Sequence, residues 1–162
     1  MLKPEHEHLT VRPAQAGDEA FLKALYASTR EDLQLAAPTP AMLELLMDMQ
    51  WRAQSGGYRQ SFPQAVNLIA EAHAAPVGRL LVDRSLAPWR IVDIAMLPAA
   101  RGQGYGAALL QALQKEAAAA GALLALSVRL ENPRARRLYA ALGFGSMSSD
   151  GQAEQMVWGP PR

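Results

Sequence analysis

A chain of 162 residues suits one domain; half of them are hydrophobic and 19% are charged, so it can bury a core, which excludes a disordered tail. A formal net charge of +1 offers no broad basic face for nucleic acid. The lack of cysteine excludes disulfides, thiolate nucleophiles and cysteine-based zinc sites.

Met1 to Thr10 carries charges and histidines but no apolar stretch of the signal-peptide kind. The longest uncharged apolar run, Ala117 to Val128, contains Gly121 and is too short to span a bilayer. The expectation is a cytoplasmic protein in a reducing compartment, with no membrane partner.

Leu9 to Arg12 reads as a short strand closed by Pro13. Asp18 can cap a helix whose apolar positions, Phe21, Leu22, Leu25 and Tyr26, follow helical spacing. Thr39-Pro40 starts a second helix, because proline suits the first helical position. Leu43, Leu46, Met47 and Trp51 keep one face of it apolar, and Gly56-Gly57 is its expected stop. The period then changes. Val66 to Ala72 and Val77 to Asp83 flank His73-Ala74-Ala75-Pro76 and read as two strands with a short turn. Arg90 to Leu97 is a third strand, stopped by Pro98. An alanine- and leucine-rich helix follows from about Gly104 to Ala120, with Gly121 where a C-terminal glycine belongs. Leu123 to Val128 is a fourth central strand. Asn132-Pro133 supplies the cap and first position of a helix that runs to Leu142 and ends at Gly143. Phe144 to Ser148 and Glu154 to Trp158 form a closing hairpin around Asp150-Gly151.

The order is thus β-α-α-β-β-β-α-β-α-β-β, without repeats or a dividing linker. The strands between 66 and 97 pair antiparallel, and the β-α-β from 90 to 128 needs a parallel crossover. This implies a mixed α/β sheet with helices on its faces. One domain covers 1–162, with loose ends over about 1–7 and 159–162.

Arg101-Gly102-Gln103-Gly104-Tyr105-Gly106 lies between a strand and a helix. Glycines let the backbone turn tightly and approach a ligand, and the first amides of a helix have no internal partner and favour an anion. A nucleotide-hydrolase loop would need a lysine after its glycines, and none is present. A dinucleotide loop would need Gly-x-Gly-x-x-Gly, but the spacing here is Gly-x-Gly-x-Gly and Leu109 occupies the last position. A third pattern, Arg/Gln-x-x-Gly-x-Gly/Ala, is met in full.

At these residues the chain resembles the GNAT superfamily of N-acetyltransferases. Ile94 to Gly106 is similar to the family's strand, proline, loop and helix start. Asn132-Pro133 with Arg136, Leu138, Tyr139, Leu142, Gly143 and Phe144 is similar to its second signature, at a matching interval. Val11-Arg12-Pro13-Ala14 with Asp18 resembles its first strand and helix, so the resemblance runs from about Leu9 to Trp158.

The resemblance implies a mixed, mostly antiparallel central sheet of about seven strands flanked by about four helices. It implies acetyl-CoA as co-substrate, an amine acceptor and no metal. The pantetheine arm would lie beside Ile94, Ala95 and Met96 like an added strand, and a backbone N–H there would polarise the thioester carbonyl. The pyrophosphate would rest on amides of Gly102, Gln103, Gly104, Tyr105 and Gly106, with Arg101 beginning the loop. Asn132 would contact the pantetheine, cap the last helix, or do both. Tyr139 would protonate the departing thiolate. Some members carry a glutamate base five residues before the signature asparagine; that position is Ser127 here, so no base carries over. Asp93 is the substitute candidate, ahead of Asp83, Glu31 and water.

Plainer roles stand beside these. Tyr139 at helical spacing with Leu138 and Leu142 also suits a core, and Asp93 also suits a structural or substrate-orienting role. Arg134, Arg136 and Arg137 form either a solvated surface or a contact to the nucleotide phosphate. His6, Glu7 and His8 suit a polar terminus better than a metal site. Trp51, Tyr58 and Phe62 either roof the acceptor site or join the core. Acetyl transfer to a primary amine, from a small molecule or a protein, is the leading function. A non-catalytic acyl-CoA-binding module is the alternative, and a nucleic-acid reader lacks any motif. Dimers are common in the family, but the sequence does not fix the oligomeric state.

Overall fold

The computed structural model describes residues 2–161. Seven strands, β1 (Leu9–Pro13), β2 (Val66–Ala72), β3 (Ala75–Asp83), β4 (Trp89–Met96), β5 (Leu124–Arg129), β6 (Gly145–Ser149) and β7 (Ala153–Trp158), form one sheet. Its order is β1-β2-β3-β4-β5-β7-β6. Every neighbouring pair is antiparallel except β4 with β5. The helices are α1 (Glu19–Ser28), α2 (Glu31–Ala36), α3 (Pro40–Ser61), α4 (Tyr105–Ala120) and α5 (Pro133–Ala141). The mixed sheet of seven strands agrees with the expected fold class. The fifth helix is α2, whose six residues are too few to display a helical period and whose cap residue, Arg30, makes no capping side-chain bond. Among the described residues, no helix is long and apolar enough to cross a membrane.

The parallel pair is short. Only Trp89 with Leu124 and Arg90 with Ala125 are in register; beyond them β4 and β5 part. Between Leu81 and Val82 the β3–β4 ladder carries a bulge, beside Ile91, where the parting begins. Bulges bend a strand and increase its twist. β5 continues with β7 as its partner, so the edge of β4 from Ile91 to Met96 has no strand beside it.

One sheet face packs Leu68, Leu80, Val82, Ile91, Leu124 and Leu126 against Leu109, Leu110, Leu113 and Ala117 of α4. The opposite face carries the buried Ile69 and Leu81 beneath α1, which contributes Leu25 and Tyr26. α3 packs beside α1 and has no buried residue. Its start follows the expected chemistry: Thr39 Oγ1 accepts the Met42 N–H at 3.1 Å, with Pro40 in the first turn.

Three expectations need correction. Gly56-Gly57 does not stop α3, which continues to Ser61. Two interior glycines cost about 1 kcal/mol each, and Tyr58 and Phe62, both facing the cavity described below, keep the last turn docked. Asp18 precedes α1 but does not cap it. Its carboxylate turns back to the Arg12 guanidinium, with two bonds of 2.7 Å, and to the Gln15 N–H at 2.7 Å. The segment before β1, expected to be loose, is packed: Leu2 is 3% exposed, Glu5 pairs with Lys115, and His6 bonds Gln103. The outermost residues of the two expected loose ends, Met1 and Arg162, lie outside the described residues.

Candidate active site

The loop before α4 is shaped by two left-handed glycines. Gly102 has φ 78° and Gly104, at the N-cap of α4, has φ 80°, a conformation that strains any residue with a Cβ. The first i to i−4 bond of the helix is Ala108 N–H to Gly104 O at 3.0 Å, so the amides of Tyr105, Gly106 and Ala107 precede any intrahelical partner. Among the described residues, the amides of Gly102, Gln103 and Gly104 donate to no carbonyl either. A Cβ built at Gly102 or Gly104 meets nothing within 4 Å, and both glycines line the cavity described next. Unpaired amides at the positive end of a helix are suited to a phosphate group.

His6 buttresses the loop. Its Nε2–H donates to the Gln103 carbonyl at 3.0 Å, and its Nδ1 accepts the His8 N–H at 3.3 Å, which assigns the neutral ring its proton on Nε2. The ring also meets the Tyr105 ring edge-on at 4.8 Å between centroids. The sequence marked this histidine only as part of a polar terminus.

A cavity of about 620 Å³ runs from this loop along β4. Ile94, Ala95 and Met96 form one wall, and Arg101, Gly102, Gly104, Tyr105 and Gly106 form its end. Asn132, Arg134, Leu138 and Tyr139 come from α5 and its cap, with Ser28, Thr29, Glu31 and Asp32 opposite. Of the residues expected to hold the cofactor, only Gln103 does not line it. Arg136 is drawn away by Glu154 at 3.0 Å, which leaves Arg134 as the one member of the arginine cluster at the wall. A second, narrower space of about 130 Å³ fills the wedge between β4 and β5, lined by Asp93, Ser127, Asn132 and Tyr139 among others. Asn132 and Tyr139 border both spaces, because the Asn132 Oδ1 caps α5 by accepting the Ala135 N–H at 3.2 Å and so fixes the helix that carries Tyr139.

Tyr139 is 8% exposed, with its ring 5.9 Å from that of Phe144. Burial pushes its phenol up to about 12, and the negative charge of Asp93 adds to the effect. Asp93 is held by Arg79, whose Nη2 and Nε donate to the same oxygen, Oδ2, at 2.6 and 3.1 Å. Among the described residues no side chain or amide donates to its other oxygen. The Arg79 guanidinium lies 5.8 Å from the Tyr58 ring, whose phenol is likewise pushed up to about 12 by burial and then by Asp93. The charge of Asp93 thus acts on two phenols, that of Tyr139 in the wedge and that of Tyr58 on α3.

The other base candidates separate. Glu31 lines the larger cavity. Asp83 is 2% exposed and is bound by the Ser85 N–H and hydroxyl, at 2.8 and 2.5 Å, in the turn after β3, so it lines neither space. Ser127 reaches the wedge, where its hydroxyl accepts from Gln155 at 3.0 Å. Sequence reasoning missed Arg79. Its only signal was a basic residue inside the apolar run Val77 to Val82, matched by an acid inside the neighbouring strand.

The sequence model of the acetyltransferase (GNAT) family matches residues 22–144. Solved structures share the fold. A PaiA N-acetyltransferase from Thermoplasma acidophilum, solved in complex with coenzyme A, aligns with a TM-score of 0.72 at 16% identity over 94% of this chain and 99% of that one. The ribosomal-protein-S18-alanine N-acetyltransferase of Escherichia coli aligns with a TM-score of 0.61 at 22% identity over 92% and 90%. An acetyltransferase from Thermus thermophilus aligns with a TM-score of 0.65 at 20% identity over 94% and 97%.

Proposed function

Because the chain belongs to the GNAT acetyltransferase family, we propose that it moves an acetyl group from acetyl-CoA directly to a primary amine, with Tyr139 as the general acid. The observation that carries this is the shared cavity: unpaired glycine-loop amides, an unpartnered β4 edge and the Tyr139 ring border one continuous space. Its parts fit the co-substrate. The amides from Gly102 to Gly106, with Arg101 and Arg134 beside them, suit a pyrophosphate. The backbone of Ile94, Ala95 and Met96 suits an amide-bearing arm laid alongside as an extra strand, and Asn132 faces the same arm.

In the transfer, an N–C bond forms and the C–S bond breaks. A β4 amide polarises the acyl oxygen. Tyr139 gives its proton to the leaving sulfur, and its raised pKa keeps that proton in place at neutral pH. The amine's proton leaves through the open oxygen of Asp93 or through water. Arg79 occupies the other oxygen of that carboxylate and so fixes Asp93 as an anchor for the incoming amine. Holding both partners in place contributes most of the acceleration, about 7–11 kcal/mol in favourable cases.

Thiol release from acetyl-CoA in the presence of a panel of amines tests the proposal. Tyr139→Phe should lower kcat at least about 100-fold while acetyl-CoA affinity holds. Because the Tyr139 pKa is raised, the proton is retained rather than lost on the alkaline side, so the wild-type rate should not fall through pH 10. Equal turnover by the variant removes Tyr139 as the acid. Acetyl-CoA binding with no amine-dependent thiol release would leave a binding module instead.

A further inference from the structure

A third cavity, about 820 Å³, lies on the opposite face of the sheet, under α1 and α3. We propose that it receives the amine acceptor, and that the acceptor is a flat, apolar-bodied amine: one aromatic ring bearing a hydrogen-bond donor, joined by a short chain to a primary amine. This rests on the acetyl-transfer proposal and names the acceptor it left open.

Register places three residues in one row across the sheet. Asn67 of β2 pairs with Leu81 of β3, and Leu81 pairs with Asp93 of β4. Two strand spacings separate the ends of the row, about 10 Å, which one ring and a two-carbon chain can bridge. Asn67 and Leu81 line the cavity, and Arg79, also in its wall, holds Asp93 at the boundary with the β4–β5 wedge.

The chemistry of the walls selects the class. Trp51, Tyr58 and Phe62 supply flat apolar surface. The Asn67 side-chain oxygen is buried and has no hydrogen-bond partner among the described residues, and such an atom calls for a donor. A phenolic or indolic N–H or O–H at the far end of the ring would supply one. Of the three arginines in the lining, Arg52 and Arg79 are already paired, with Asp48 and Asp93. That leaves Arg59 and Glu19, one charge of each sign, so the lining carries no acidic cluster for a polycation. The amine at the other end reaches the open oxygen of Asp93, loses a proton there or to water, and attacks the acetyl carbon, with Tyr139 protonating the released sulfur.

Tyramine, phenethylamine and spermidine are the probes, with thiol release as the rate and calorimetric binding to the coenzyme A-loaded chain as the second readout. Tyramine should show the highest kcat/KM. Asn67→Leu should lower tyramine's kcat/KM about tenfold and leave phenethylamine within about twofold, with unchanged acetyl-CoA affinity. Trp51→Ala should raise KM for both aryl amines. A preference for spermidine, or a tyramine-to-phenethylamine ratio unmoved by Asn67→Leu, overturns the assignment while acetyl transfer stands. If no amine turns over, saturable tyramine binding that Asn67→Leu weakens still supports the site, whereas no tyramine binding overturns it. Asn67→Ala, which also removes the acceptor, serves if the leucine variant does not fold.

Discussion

α4 and α3 are the two longest helices, and they are held in opposite ways. α4 buries seven of its 16 residues, with Leu109, Leu110 and Leu113 wholly enclosed. α3 has 22 residues and buries none. Met42, Leu45 and Met49 stand in solvent on its outer side. Its inner side is held by polar and aromatic contacts: Lys23 to Asp48 at 2.7 Å, and the Lys23 ammonium over Trp51 at 5.3 Å. The difference follows what each presents. α4 offers backbone amides to an anion, and these work only if the helix cannot shift. α3 lines the cavity proposed for the acceptor, and a helix seated on few buried contacts adjusts at little cost.

The largest effect belongs to the α4 core. Leu109→Ala should destabilise the fold by about 2–5 kcal/mol, while Met49→Ala on α3 should stay within about 0.5 kcal/mol; equal urea-unfolding losses would break the contrast. Next is the front of α4. Gly104→Glu puts a carboxylate before the unpaired amides and forces a left-handed backbone, so acetyl-CoA affinity should drop at least about 100-fold, near 2.7 kcal/mol. Unchanged affinity by calorimetry would refute the anion site.

A smaller effect concerns the strut beneath α1. The Arg12 guanidinium, then the Gln15 N–H, hold the Asp18 carboxyl down at about 2 from an ordinary 3.8. A lowered folded-state value means stability present above the ordinary pKa and lost as pH falls through the folded one. Asp18→Asn should therefore lower Tm at pH 7, and the gap to wild type should close as pH falls from about 4 toward 2. A gap constant with pH would assign the loss to packing. The smallest change sharpens the comparison from the α3 side. A Cβ at Gly56 meets no atom within 4 Å, so Gly56→Ala should stabilise by about 0.4–1 kcal/mol in urea.

The sequence was most informative where a feature is made within a few residues. The glycine loop, the Asn132 cap and the Asn132-to-Tyr139 interval each belong to one short segment, and all reach the same cavity. The two apolar runs flanking a short turn likewise located β2 and β3, although the turn narrows to His73 and Ala74, with φ 52° and 62°. What escaped was made between segments. The Arg79–Asp93 pair depends on strand register, and the His6 buttress on contact across 97 positions of sequence. Asp18 sat at a cap position by spacing, yet a guanidinium from β1 competed successfully for its carboxylate. The parting of β4 from β5 depends on a bulge in the β3–β4 ladder, a feature made between strands rather than within one.

That parting makes the sheet a four-stranded and a three-stranded ribbon stitched at two residue pairs. Most of the seam is left unsewn, with the β4 amides dependent on whatever lies in the gap. A ligand arm laid there would act as the missing thread, and its affinity would be shared with the cohesion of the domain. Tight binding at a hundred times Kd adds about 2.7 kcal/mol to the folded state. Much of that gain would be felt where the two ribbons meet, so loading the site would tie two halves into one unit that opens less often.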